Sequence, residues 1–452
     1  MMKRLFLFLL LHSLAFSQQS DSSATPVTGY WEGAIMHEGS LQILKLEVEE
    51  HEGKLWALLT VPDWGIQDAR MQGLTYTSQR LVFTLNPYGP TSLLVDAKAG
   101  EMRGTVTTGD STQLRIQLKR TLKPVAPHAR SEEVRFNSGE ARMAGTLVLP
   151  AAQGPHPAII IVSGRNYGSR WGNHSEALRL AQRGVACLIF DGRGVGESGG
   201  DRTKTTAADR YQDVLSALDL LAARTDLDAN GIGLWGISAG GWVVPIVAQR
   251  SGKVAFIIMD AGPAESLAEQ QGHVVAYNMR WFAKEKFAPE EIDAAYAYQK
   301  KLVELCWQDA KWRIFEPLVA HARQQRWAKY VDLPENLANS ELDYFSRYKN
   351  FDNTSALRQM KIPVLAWYGE RDYVVPPPEN APKLKRLLEE AGNQDFKILI
   401  FPEGDHGMVI PGGIQGEGEE WPERYYRWRR RAPGFYETIY AWILGHVNSS
   451  TN

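Results

Sequence analysis

Ser238 stands at the centre of Gly236-Ile237-Ser238-Ala239-Gly240, a G-x-S-x-G string. A serine hydroxyl is a weak nucleophile until a base takes its proton and a carboxylate orients that base. Candidates for both follow in the chain. Asp372 ends Gly369-Glu370-Arg371-Asp372, and His406 lies in Glu403-Gly404-Asp405-His406-Gly407. The order Ser, Asp, His is one of those in which this constellation occurs. Glu370 and Asp405 compete with Asp372 as the acid. Glu370 comes early in its turn, and Asp405 is adjacent to the histidine, where side chains rarely face one another. His446 also follows both Ser238 and Asp372, but it reads as a surface residue of the last helix. The chemistry implied is acyl transfer through a serine ester. Such a reaction needs two N–H donors for the oxyanion. One is expected from Ala239 and the other from Ser163-Gly164-Arg165-Asn166, with the Arg165 N–H favoured.

A serine works in this string only at the tip of a strained strand-to-helix turn. The flanking pattern supplies one. Ile232–Trp235 is a short apolar strand and Ala239–Arg250 has helical texture. Asp372 and His406 follow further apolar runs, Val364–Tyr368 and Phe396–Phe401, so all three side chains are expected beyond strand ends, where open α/β sheets place their sites. Ala158–Val162, Val185–Phe190 and Val254–Met259 extend the same alternation with helices at Ser175–Arg183 and Ala208–Arg224. A helix near Ala381–Ala391 and a last one at Gly434–Val447 complete it. The pattern predicts an α/β fold over residues 130–452, with a largely parallel sheet and helices on both faces.

Residues 263–355 interrupt that alternation with helical sequence holding 15 aromatics in 93 positions. This segment is expected as a helical cap whose aromatics wall a pocket, although Trp281, Trp307, Trp312 and Trp327 could equally serve the cap's own packing. Before the α/β part the period is two: Leu44, Leu46 and Val48 alternate with Lys45, Glu47 and Glu49. Repeated short runs of this kind, separated by turns such as Glu52-Gly53 and Ala99-Gly100, predict an all-β barrel or sandwich over residues 26–122. Nothing in it suggests catalysis. Thr121–Arg130, with Pro124 and Pro127, reads as the linker.

Asp191-Gly192-Arg193-Gly194-Val195-Gly196-Glu197-Ser198 resembles the D-x-R-G-x-G-x-S loop of α/β-hydrolases. Ala144–Pro150, Pro363-Val364-Leu365 and the turns around Asp372 and His406 resemble an exported bacterial serine carboxylesterase branch of that superfamily. The resemblance covers about residues 130–450. It implies a carboxylesterase-like hydrolase with a helical cap, acting on a small-molecule ester without metal or organic cofactor. The usual His-Gly of the oxyanion loop is Ser163-Gly164 here, which leaves the second donor open. Two other readings stand beside it: an exported serine peptidase of the prolyl-peptidase-like branch, and a non-catalytic binding protein on the same scaffold. About 100 residues of β sequence are too few for the several four-stranded blades of a propeller.

Composition narrows the rest. With 50 Lys and Arg against 52 Asp and Glu, the net charge of −2 gives no basic field to recruit nucleic acid. Two cysteines, Cys187 and Cys306, allow at most one disulfide. Two strings match the dinucleotide pattern G-x-G-x-x-G, at residues 194–199 and 231–236, but neither lies between a strand and an immediate helix. At the start, Lys3 and Arg4 precede an apolar run from Leu5 to Phe16, then Ala15-Phe16-Ser17 and Gln18. This is the pattern of a cleaved signal peptide over residues 1–17. The run is too short for a spanning helix. An exported chain, periplasmic or extracellular and without stable membrane insertion, is the expectation. The oligomeric state is open.

Overall fold

The computed structural model describes residues 25–37, 40–71, 73–86, 88–109, 111–124, 129–165, 168–414 and 426–449; the expected leader at 1–17 lies outside them. Strands β1 (Gly29–His37), β2 (Ser40–His51), β3 (Lys54–Val61), β4 (Ile66–Met71), β5 (Thr75–Thr77), β6 (Arg80–Leu85), β7 (Gly89–Asp96), β8 (Glu101–Thr107) and β9 (Gln113–Thr121) form one sheet. Its order is β4-β3-β2-β1-β9-β8-β7-β6-β5, and every pair is antiparallel. Alternation does the work: Leu44, Leu46 and Val48 of β2 are buried and their neighbours are not. The inward residues of both halves, from Trp31 and Leu59 to Phe83, Met102 and Leu118, belong to one core cluster. A single sheet that buries one face in one core has rolled on itself. The roll is left open between its end strands β4 and β5. The protein therefore has a small antiparallel β domain ahead of its α/β part.

The second sheet is built from β10 (Ala129–Ser138), β11 (Ala141–Pro150), β12 (His156–Val162), β13 (Ala186–Phe190), β14 (Leu227–Ile237), β15 (Phe256–Asp260), β16 (Val364–Gly369) and β17 (Phe396–Phe401). Their order is β10-β11-β13-β12-β14-β15-β16-β17, antiparallel at β10 and β11 and parallel from β13 onward. Strands buried on both faces are continuous apolar runs, as in Ala158–Val162. Helices α1 (His174–Ala181), α2 (Ala207–Ala222) and α3 (Gly240–Ser251) connect the early strands. Between β15 and β16 come α4 (Leu267–Trp281), α5 (Pro289–Trp307), α6 (Trp312–Arg323), α7 (Ser340–Arg347) and the short α8 (Thr354–Leu357). Then follow α9 (Pro377–Glu390), four two-residue strands, β18 (Val409–Ile410), β19 (Gly413–Ile414), β20 (Tyr426–Arg427) and β21 (Arg430–Arg431), and α10 (Phe435–Ser449).

The helices sort by face. Leu180 of α1 and Ile439 and Ile443 of α10 pack with Ile159, Ile161, Trp235 and Trp367 on one side. Val214 and Leu218 of α2, Val243 and Val247 of α3 and Leu384 of α9 pack with Ile160, Leu234 and Ile257 on the other, in a core shared with α4–α8. Helix α9 starts at Pro377, a turn before the expected Ala381. Proline fits the first turn because its missing N–H would have no partner there. The β domain docks on α1: the Gln67 N–H donates to Ser175 Oγ at 3.0 Å, and the Arg179 guanidinium donates to the Gly65 carbonyl at 2.7 Å.

Candidate active site

The turn at Ser238 is as tight as its sequence requires. Ser238 has φ +52°, in the left-handed region that disfavours side chains. Its N–H donates to the Asp260 carbonyl at 2.7 Å and its carbonyl accepts from the Gly241 N–H at 2.8 Å. Gly240 must lack a side chain, because a Cβ there would lie 2.2 Å from the Val162 carbonyl oxygen. So β14 and α3 close on β12 and hold the serine hydroxyl clear at the strand end.

The structure brings Ser238, His406 and Asp372 together. Nε2 of His406 lies 2.9 Å from Ser238 Oγ, and Nδ1 lies 2.8 Å from Asp372 Oδ2. A carboxylate only accepts, so Nδ1 carries the proton and Nε2 is left to accept from the serine. Asp372 is fully buried, and its other oxygen accepts from the Val374 and Val375 N–H groups at 2.8 and 2.9 Å. Burial pulls the His406 pKa down. The hydrogen bond and charge of Asp372, with the charges of Asp260 and Asp405, outweigh it and hold the imidazole above its ordinary value. The competing acids are employed elsewhere. Asp405 Oδ1 caps the Gly407 and Val409 N–H groups, and Glu370 accepts from the Glu403 N–H at 2.8 Å. His446 lies in α10, 3.2 Å from Asp395.

Ala239 directly follows the nucleophile at the start of α3. The other expected donor loop passes beside it: a Cβ on Gly164 would lie 3.3 Å from Ser238 Cβ. Arg165 is next, its side chain paired with Glu341 of α7 and its guanidinium 4.0 Å from the Tyr344 ring centre. The loop is braced from below by Arg210 of α2, which donates to the Ser163 carbonyl, and by Asn173, whose amide donates to Ser163 Oγ at 3.0 Å. A cavity of about 420 Å³ opens beside Arg165, between α7 of the cap and the loop at 202–205, lined by Arg165, Arg202, Thr205, Glu341, Tyr344 and Tyr348; Ser238, Asp372 and His406 are not in its lining. None of the four tryptophans singled out from the sequence lines it. Trp327 is buried, Trp307 and Trp312 pack against the core, and Trp281 is 69% exposed. Trp307, Trp312 and Trp327 thus serve the cap's own packing, while Tyr344 and Tyr348 are the aromatics of this cavity and half of its lining is charged.

Sequence reasoning missed Asp260. It ends β15 beside the elbow, half-buried, and accepts from the Trp235 and Trp367 indoles at 3.2 and 2.8 Å. Burial pushes its pKa up to about 6 against those hydrogen bonds and the charges of Arg431 and His406. The available signal was a carboxylate closing the apolar run Ala255–Met259. The glycine pattern at 194–199 has a packing role: a Cβ on Gly196 would lie 2.3 Å from Asp191 Oδ2, which instead accepts from the Glu197 N–H. Asp191 pairs with the buried Arg170. Both cysteines are buried and unbridged. Among the described residues, no three His, Cys, Asp or Glu side chains group as metal ligands, and no helix is long and apolar enough to cross a membrane.

Comparison with known proteins bears on the whole arrangement. Esterase EstD of Thermotoga maritima is 25% identical over 290 residues, covering 63% of this chain and 61% of the esterase. The chain thus spans about three fifths of that relative's length. Quorum-quenching protein AidA of Acinetobacter baumannii is 28% identical over 127 residues, 28% of this chain and 42% of that protein. The solved structure of the Pyrococcus furiosus esterase Pf2001 superposes with a TM-score of 0.41 at 18% identity, over 64% of this chain and 88% of that one. The sequence model of the alpha/beta hydrolase fold matches residues 157–410, more than half of the chain and every strand that carries Ser238, Asp372 or His406. The chain belongs to the α/β-hydrolase fold family.

Proposed function

We propose that this protein hydrolyses carboxylic esters through an acyl-enzyme on Ser238. The observation that carries the reading is the unbroken run of hydrogen bonds Ser238 Oγ to His406 Nε2 and His406 Nδ1 to Asp372, at 2.9 and 2.8 Å. The likeness to an esterase favours esters over amides as substrates. Ser238 Oγ attacks the acyl carbon as His406 Nε2 takes its proton. Asp372 keeps the imidazole in the required tautomer and stabilises its charged form. The oxyanion accepts from the Ala239 and Arg165 N–H groups. Collapse expels the alcohol, which takes the proton from His406. Water then attacks the serine ester, again losing its proton to Nε2, and the acid leaves with Ser238 restored.

A fluorophosphonate probe and a set of matched nitrophenyl esters and anilides test this. Wild-type protein should label at Ser238 and turn over the esters faster than the anilides. Ser238→Ala should lose the label and lower kcat by a factor on the order of 10⁶. Undiminished labelling or turnover in Ser238→Ala would remove the proposal.

A further inference from the structure

His406 stands on a loop held in part by its own hydrogen bonds, among them those from the Gly407 and Val409 N–H groups to Asp405 Oδ1, and in part by its neighbours. Glu403 and Met408 on either side of it have φ +57° and +54°, left-handed values in residues other than glycine. Such backbone persists only where its surroundings over-determine it. The surroundings here are the turn at 369–371, whose Arg371 N–H donates to the Gly404 carbonyl at 2.9 Å, and the strap 426–431. Val409 and Ile410 pair with Arg431 and Arg430, and the Ala432 N–H donates to the Met408 carbonyl at 2.9 Å. Three alternate arginines reach three alternate loop residues: Arg427 pairs with Glu403, Arg429 lies 3.5 Å from Asp405, and Arg431 donates to the Gly407 carbonyl.

The other side of the strap is fastened to the β domain at two points. First, Trp428 packs against the β-domain core, and Gln42 Nε2 donates to the Arg429 carbonyl at 2.8 Å. Gln42 is an inward residue of β2, fully buried, with Leu41 and Ile43 exposed on either side. A buried polar residue in an apolar row is the informative exception to burial statistics. Its amide oxygen accepts from Tyr88 at 3.1 Å, and its nitrogen divides its donors between Asp63 Oδ2 at 3.3 Å and the shorter bond to the strap. Second, the Tyr436 hydroxyl donates to the Gly65 carbonyl at 2.9 Å and accepts from Arg431 at 3.3 Å. A Cβ on Gly65 would lie 2.0 Å from that hydroxyl oxygen, so contact here depends on glycine.

We infer that the β domain is a positioning element for the catalytic histidine, acting through the strap from Gln42 and Gly65 to the loop at 403–409. The inference rests on His406 being the base. Gln42 and Tyr436 touch no reacting atom, and they act by fixing where Nε2 stands. A base displaced by about 1 Å costs up to 100-fold in rate.

The test uses full-length protein carrying Gln42→Leu, Tyr436→Phe or both. The double variant should lower kcat by between about 10- and 100-fold with KM held within about twofold. It should also broaden or erase the downfield proton resonance of His406 Nδ1–H. Val106→Ala, a β-domain core change away from the strap, should lower Tm and leave kcat and the resonance as in wild type. If Gln42→Leu does not fold, Tyr436→Phe, which removes one oxygen atom, decides alone by the same two readouts. Folded variants with wild-type kcat and resonance overturn the inference, and so does Val106→Ala producing the same losses. His406→Ala separates the two readings. If it is inactive while the strap variants are normal, only the positioning role falls. If it is active, the base assignment falls and takes the positioning role with it.

Discussion

Asp260 sets a pH dependence that the three-residue relay alone would lack. Its charge, present above about pH 6, is one of the negative charges holding the His406 pKa above its ordinary value. In the proposed mechanism the base works only when neutral, so the acid limb of kcat/KM should lie at that raised value. Asp260→Asn removes a negative charge and should move this limb toward lower pH, measured as the midpoint of a kcat/KM profile. A midpoint that stays put would show that Asp260 has no electrical hold on His406. Stability should respond with the opposite sign from the usual paired carboxylate. A raised carboxyl pKa favours the folded state below the unfolded value of 3.8, and that advantage is lost as pH climbs to about 6. The Asn variant should lack this slope in denaturant titrations. At this scale the sequence was informative where chemistry coincides with a local signature. Ser238 has its glycines, and Asp372 and His406 each follow an apolar strand and a glycine. Asp260 has only its place at the end of an apolar run, and Arg210 has no such mark. Their roles come from what lies across the sheet or across a helix, and nothing nearby in the chain encodes that.

Elements were legible in proportion to their periodicity. The parallel strands are unbroken apolar runs, and β2 alternates without exception from Leu44 to Val48. The two-residue strands β18–β21 were invisible, since two residues have no period. The cap was legible as an interruption, while the wall it presents was not. Aromatic content suggested a pocket wall without deciding which residues form it, and α7 brings Tyr344, Tyr348 and Glu341 to the cavity beside Arg165. A wall with two acids and three arginines among its residues takes in polar groups at lower desolvation cost than long apolar chains, and we propose that substrate reaches it. Tyr344→Ala should therefore change the ranking of kcat/KM between polar and aliphatic esters by about tenfold while fluorophosphonate labelling of Ser238 persists. Equal scaling of every ester would mean that α7 does not contact substrate.

For the whole molecule, the division into a β part and an α/β part followed from the change of period near the prolines of the linker. The docking between the parts did not. Gln42 and Gly65 are common residues in ordinary contexts, and only the folded chain shows them against Arg429 and Tyr436. Gln42 and Arg429 lie 387 positions apart. That separation imposes an order in time. The β domain is made of strands mostly paired with their sequence neighbours, and contacts of that kind form early. The strap must await nearly all of the intervening chain, because distant contacts give no return until a long loop has closed. Refolding from denaturant should thus protect the amides of β1–β9 from hydrogen exchange before those of residues 404–409, and ester turnover should return with the later set. Simultaneous protection of both would contradict this order. Activity would then report the last event of assembly, so that a molecule caught with only its two sheets built is compact, folded in most of its length and catalytically silent.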